Sequence, residues 1–442
     1  MGDTCSSRTK RLAYLRNGAL RTMSRIHLAF PDEAAAITIW RKELPVCLVM
    51  GAPRGGTSAF KGALARHSDT LAMPGEHRLF FTLAEQNFPD GRSLNEAMQA
   101  PPDSETQSQI LDLILTCSFS GPEITRPDSR EIERYALDWA MRLPLQWTSY
   151  DIDPEQVTTI VTNATARYLA SGVDDLIQLD QEVLAALQEG YPFIRAGLYD
   201  GAKDTGGINW VNVRNDISPI VEITPFVLPR PRQLKHSKTR ASVLLLKASS
   251  DPFRIPSLRA LFEGRPMTML RLTRNPLASV NGLLDGWAYP AFWQHDLRAH
   301  SYMPDTLKGW CFDLYPGWRD ATQLSEVTVD QWRIPNEILQ KAETAPAGNE
   351  TWHSFAFEAF QSGTAGRTEM LCNAAIAMGL DPMEPQFAAA IAAPRQVNAT
   401  VSPCAARWKQ SRPELRTLAT QPEISQLAKS MGYNCGDIDA WI

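Results

Sequence analysis

No stretch of this chain approaches the ~18 consecutive apolar residues that a membrane-spanning helix needs, so no membrane span is expected. Charge of one sign is equally lacking. The 44 Lys and Arg against 49 Asp and Glu leave a formal net charge of −5, which gives no whole-surface footprint for nucleic acid. Local basic pockets are compatible with that average. The seven cysteines (Cys5, Cys47, Cys117, Cys311, Cys372, Cys404 and Cys435) are scattered and odd in number, with no CxxC pair or Cys/His cluster. Neither a disulfide framework nor a zinc site is expected, and a reducing compartment, the cytoplasm, is the plain reading. Internal repeats and low-complexity tracts are absent too. What is there is ordinary globular material: 442 residues, 44% hydrophobic and 21% charged, enough for one large domain or two ordinary ones.

The N-terminus stands apart. The stretch "MGDTCSSRTKRLAYLRNGALRTMSRIHLAF" carries six basic residues from Arg8 to Arg25 and a single acid, Asp3. It resembles a transit peptide, its first residues fit the loose myristoylation pattern, and a frayed basic terminus explains both. Residues 1–40 are therefore read as a basic extension that need not be ordered, with the main domain over 41–442.

Within that domain, Val46–Met50, Ala241–Lys247 and Met267–Leu272 are short apolar runs bounded by polar or turn residues, as buried parallel strands are. Helices are predicted over Thr57–Arg66 and Pro276–Asp285, the second with proline where its missing N–H costs nothing. Between about 90 and 240 the pattern changes. Residues 174–190 have helical periodicity and end on Gly190, and 228–240 read as an extended basic connection. Further helices follow after Asp320. The fold class is α/β: a parallel sheet flanked by helices, with a mostly helical insertion at about 90–240.

One lysine is missing where it would matter most. Gly51-Ala-Pro-Arg-Gly-Gly-Thr-Ser58 occupies the register of a Walker loop, GxxxxGK[ST], but Thr57 stands at the lysine position. Small residues let backbone N–H groups approach an anion, the following helix aims its positive end at it, and Thr57 and Ser58 add hydroxyls. The loop suits a phosphate-like group. Without the lysine that reaches the β/γ-phosphates, an ATPase or GTPase is disfavoured, and Arg54 must supply the cation. An ordinary glycine turn between strand and helix is the plainer alternative.

Pro53-Arg54-Gly55-Gly56-Thr57-Ser58 resembles the PRSGTT or PKSGTT loop of sulfotransferases that use 3′-phosphoadenosine-5′-phosphosulfate (PAPS). Residues 244–287 resemble that family's later block, a strand followed by R-[DN]-P at the start of a helix, with Arg274-Asn275-Pro276 as the matching triplet. Weaker likenesses run over 330–339, 357–382 and 404–415, where Arg407-Trp408-Lys409 matches the family's terminal R…W[KR] segment. The resemblance covers roughly 45–90 and 240–440. It implies a P-loop-like sulfotransferase fold in which Arg54, Gly55, Gly56, Thr57 and Ser58 grip the phosphosulfate. Arg274 takes the 3′-phosphate, and Arg407, Trp408 and Lys409 approach the nucleotide. Adenosine 3′,5′-bisphosphate is the implied product, and no metal is implied. Two departures stand out. Gly282 replaces the serine usually found eight residues after the triplet's arginine, so Ser279 or Asn281 must substitute. Asp251 replaces a histidine.

Sulfuryl transfer is an in-line displacement through a loose transition state, so the protein must position two partners and neutralise charge on the leaving phosphate. Arg54 fits that role. Lys247, ending a strand, is either a second positive charge at the reaction or a solvated strand-end residue. The stretch "AMPGEHRLFF" (72–81) resembles the family's "KE.HFF" segment, which puts Glu76 forward as general base and His77 as the alternative. Around Asp285, Trp287 and Tyr289, aromatics and acids either line a pocket for a flat, polar or cationic small-molecule acceptor or form a buried aromatic core. The expected activity is sulfation of a hydroxyl or amine, against two alternatives: a catalytically silent nucleotide-binding module, and a P-loop small-molecule kinase.

Overall fold

The computed structural model describes residues 2–84, 101–200, 220–234, 241–289, 292–298, 300–393 and 404–441. The chain divides into two compact units, one of 1–44, 68–86 and 102–242, the other of 45–67, 87–101 and 243–442. Parts of the expected insertion (90–100 and 201–219) and of the basic connection (235–240, with His236) lie outside the described residues.

In the second unit the short apolar runs pair as parallel strands. Val46–Met50 lies between Val243–Leu246 and Met267–Thr273, and Met267–Thr273 pairs in turn with Glu350–Ala356. Every side chain of Val46–Met50 is buried, as a strand covered on both faces requires. Numbered along the chain, these four strands lie in the order 2-1-3-4. The winding therefore reverses between Val46–Met50 and Met267–Thr273, and the carboxyl ends of strands at such a switch point are where open α/β sheets bind ligands. Those two ends carry Gly51–Ser58 and Arg274-Asn275-Pro276. The helix Thr57–Leu64 follows the first. Pro276–Trp287 follows the second, with Pro276 in its first turn and the Asn275 carboxamide accepting from Ala278 N at 2.8 Å. The strand Glu350–Ala356 was not apparent in the sequence, because it alternates half-buried and exposed positions instead of forming an apolar run.

The first unit is helical. Ser129–Gln146 opens on a capping box between Asp128 and Glu131, and Pro154–Ala170 and Leu176–Gly190 pack with it around Trp139, Leu143, Val161, Val183 and Leu187. The basic N-terminus is not a loose extension. Gly2–Ala29 is one helix of this unit, and Leu12, Leu15, Ala19, Thr22 and Ile26 are buried along one stripe. Its cations meet acids of the same unit, Arg11 with Asp151 and Arg25 with Glu155. The basic composition masks a regular helical stripe of buried residues beneath it. No helix among the described residues is long and apolar enough to cross a membrane.

Arg134 ties this unit together. Its guanidinium, almost fully buried, binds Glu33 at 3.0 Å, Asp138, and the carbonyl of Thr116 at 2.8 Å. Burial alone would push Arg134 down, but Asp138 and Glu33 carry it above its ordinary value. Arg134→Met leaves Glu33 and Asp138 as uncompensated buried charge and should cost about 3–5 kcal/mol in denaturant unfolding followed by circular dichroism.

Candidate active site

The loop after Val46–Met50 is shaped by two residues in left-handed backbone, Arg54 (φ 61°) and Gly56 (φ 90°). Such a conformation is uncommon for a residue with a side chain, and it persists where surroundings fix it. Two bonds fix it here. Arg54 Nε donates to the carbonyl of Gly282 at 3.1 Å, and Arg274 NH1 donates to the carbonyl of Arg54 at 2.9 Å. The two expected anion loops, 220 residues apart in sequence, are thus one structure. A Cβ on Gly282 would stand 3.4 Å from Arg54 Cβ and 3.7 Å from its Nε, in ordinary contact, so Arg54 lies against this face of the helix.

Gly56 is the N-cap of Thr57–Leu64, where a side chain would meet the Phe357 ring at 2.4 Å. Phe357 also carries the guanidinium of Arg274, 5.3 Å above its centroid, while Arg54 lies 5.1 Å above the centroid of Phe292. Lys247 is resolved by its burial. It is no solvated strand end: its Nζ donates to Ser58 Oγ at 3.2 Å, adding a second cation to the loop and helix start.

The charge balance is positive. Burial first, then Arg274 and Arg407 against the opposing Asp285, push Arg54 down to about 10. Burial and Arg407 also lower Arg274, against Glu358. Both arginines lie in surroundings short of negative charge. Two buried polar atoms here have no hydrogen-bond partner among the described residues, Arg274 Nε and Ser279 Oγ. Buried donors of this kind call for a partner.

The C-terminal residues come to the same helix. Arg407 and Arg412 both pair with Asp285, Arg412 at 2.8 Å, while Arg412 and Ser411 bond Asn281 Oδ1 at 2.6 and 2.8 Å. Asn281, one of two candidates to replace the family serine, is therefore engaged by the protein. Ser279 is the one with an uncommitted hydroxyl. Trp408 is fully buried with Leu277 and Val280, and Lys409 Nζ donates to the carbonyl of Asp439 at 2.6 Å. Asp285, one of the acceptor candidates, pairs with the C-terminal arginines. Trp287 donates to Gln331 at 3.0 Å and packs edge-on to Trp310, and Tyr289 packs beside Phe292. Trp287 and Tyr289 are half-buried and pack against an aromatic cluster with Phe292 and Phe312.

Glu76 and His77 belong to the helical unit. Arg142, paired with Glu222, donates to the carbonyl of Pro74 at 2.9 Å and so braces the loop before them. Glu76 is half-buried. His77 is buried before Arg78–Leu83, its ring edge-on to Phe81. Asp251 is likewise fully buried and accepts from Ala248 N at 2.7 Å, closing its own turn. Among the described residues there is no group of His, Cys, Asp and Glu that could hold a metal ion.

The chain's structural neighbours are sulfotransferase domains. The sulfotransferase domain from the Synechococcus PCC 7002 olefin synthase is 11% identical, spans 89% of this chain and 96% of its own, and superposes with a TM-score of 0.36. The sulfotransferase domain from the curacin biosynthetic pathway is 11% identical over 89% of this chain and 99% of its own, with a TM-score of 0.34. No family model and no curated protein matches the chain. Likenesses so distant transfer no residue's role to this chain.

Gly56→Ala tests the geometry of the loop. The left-handed backbone alone costs an alanine about 1–2 kcal/mol, and the Phe357 ring must also move. Thermal melting should show that loss.

Proposed function

We propose that the second unit binds a 3′-phosphorylated adenine nucleotide at the sheet's switch point, and that the chain sulfates a hydroxyl or amine of a small molecule. The observation that carries this reading is the pair of hydrogen bonds from Arg274 to the Arg54 carbonyl and from Arg54 to the Gly282 carbonyl. They join two loops at the carboxyl ends of adjacent strands around a surplus of positive charge. The residues present fit PAPS as donor, which when bound supplies the sulfuryl group. Arg54, Lys247 and the backbone N–H groups of Gly56–Ser58 would hold the phosphosulfate end. Arg274, with its open Nε, and the Ser279 hydroxyl would hold the 3′-phosphate, and the Arg407 and Arg412 pair would border it.

The chemistry asked of these groups is electrostatic. Preorganised cations in a poorly solvated site stabilise charge growing on a leaving phosphate without reorganising, and the arginines match that charge with no ion required. For the base that takes the acceptor's proton, the sequence resemblance alone puts forward Glu76, with His77 as its alternative. The free, dispersed thiols Cys47, Cys117, Cys311, Cys372, Cys404 and Cys435 support a cytoplasmic setting.

The test is thermal melting with adenosine 3′,5′-bisphosphate, adenosine 5′-monophosphate, and magnesium-ATP in parallel. The bisphosphate at one hundred times its Kd should add about 2.7 kcal/mol of stability. Arg274→Ala should weaken it roughly 10- to 150-fold, the worth of a hydrogen bond to a charged group. A shift with magnesium-ATP alone would overturn the reading in favour of a kinase. Glu76→Gln should leave bisphosphate affinity unchanged while sulfate transfer from labelled PAPS, screened over small phenols, alcohols and amines, falls about 100-fold or more. Bisphosphate binding with no transfer to any acceptor would leave the silent nucleotide-binding module in its place.

A further inference from the structure

The strand Glu350–Ala356 delivers two adjacent residues, Phe357 and Glu358, to the two arginine loops. The Glu358 carboxylate accepts twice through Oε1, from the backbone N–H of Asn275 and from its side-chain Nδ2, both at 2.8 Å. Its other oxygen accepts from the Tyr433 hydroxyl at 3.0 Å, and that hydroxyl also reaches Thr273 Oγ1 at 3.4 Å. Asn275 is the N-cap of Pro276–Trp287, and Trp332 Nε1 donates to the carbonyl of Arg274 at 3.1 Å. The Arg274 backbone is thus held through its own carbonyl and through the next residue's N–H. Its guanidinium rests on the Phe357 ring that also packs against Gly56.

We infer that Glu358, braced by Tyr433 and flanked by the Phe357 ring, is a positioning residue that sets Arg274 for a 3′-phosphate and so determines whether the site distinguishes 3′-phosphorylated nucleotides from others. This rests on the nucleotide reading above. The carboxylate holds the turn that aims Arg274, and it is the negative charge nearest in effect to a guanidinium that burial disfavours. Glu358 makes no contact of its own with Arg274's donors among the described residues, so it acts through the backbone of Asn275 and through its field. Tyr433 belongs to the same device. Burial and the adjacent Glu358 hold its hydroxyl well above the ordinary tyrosine range, so it remains a donor to the carboxylate at any pH the protein tolerates.

The readout is a ratio: the Kd of adenosine 5′-monophosphate divided by that of adenosine 3′,5′-bisphosphate, by titration calorimetry on the full chain. Glu358→Ala should reduce this ratio on the order of tenfold or more, the scale on which second-layer partners act at other charged sites. The monophosphate's own Kd should change little. Glu358→Gln keeps an oxygen acceptor for Asn275 and should retain more of the ratio than Glu358→Ala. Tyr433→Phe should fall between wild type and Glu358→Ala. An unchanged ratio in a folded Glu358→Ala protein overturns the inference, as does an equal loss for both nucleotides, which marks a structural role only. Should Glu358→Ala fail to fold, the Glu358→Gln and Tyr433→Phe ratios decide, and no change in either overturns it. A wild-type protein that shows no preference for the bisphosphate overturns the nucleotide reading itself, a different failure.

Discussion

The second unit is organised around two half-buried arginines, one of which holds the other's backbone. Arg274 donates to the carbonyl of Arg54, and Arg54 donates to the carbonyl of Gly282, nearly two turns into the helix that Arg274 introduces. Like charges packed so closely repel, and burial removes the water that would screen them. The fold opposes this with partial charges and with two carboxylates. Carbonyl oxygens take the donors, aromatic faces lie under both guanidinium groups, and Asp285 and Glu358 supply the negative field. These terms leave Arg54 well below its ordinary value. On the proposed nucleotide reading, such preorganisation is what a charge developing in a transition state requires.

Sheet topology is the reason these groups meet at all. Parallel strands present their carboxyl ends on one side, and the 2-1-3-4 order makes the ends of Val46–Met50 and Met267–Thr273 neighbours with their helices leading away in different directions. The edge strand adds the third corner. Its last residue is followed at once by Phe357 and Glu358, so the register that pairs Thr273 with Ala356 also fixes Glu358 beside Asn275. One slip in that pairing would carry the carboxylate away from the turn.

The legible part of this arrangement was local. A run such as "VCLVM" followed by a glycine-rich loop announces strand, turn and helix, and Arg274-Asn275-Pro276 announces a cap and a first turn. What stayed hidden depended on distant partners. Lys247 reads the same whether a strand end is wet or buried, and only its contact with Ser58, 189 residues away, decides between them. Glu358 sits in a segment with no apolar run, and its partners lie at 275 and 433. The helix Gly2–Ala29 was missed for a different reason. Its buried positions 12, 15, 19, 22 and 26 have regular helical spacing, but Thr22 interrupts the apolar stripe and the arginines around it dominate the composition. The acidic partners of two of those arginines, Asp151 and Glu155, lie more than a hundred residues on.

The departure from the resembled family at 282 lies where Arg54 meets the helix. Arg54 runs across Gly282, where a Cβ would stand 3.4 Å from Arg54 Cβ in ordinary contact, and it bonds the Gly282 carbonyl. Asn281 is turned to Ser411 and Arg412, whereas Ser279 keeps a buried hydroxyl with no partner among the described residues. On the proposed nucleotide reading, Ser279, three residues nearer the helix N-terminus than 282, is the hydroxyl offered to a phosphate, where the backbone N–H groups favour an anion.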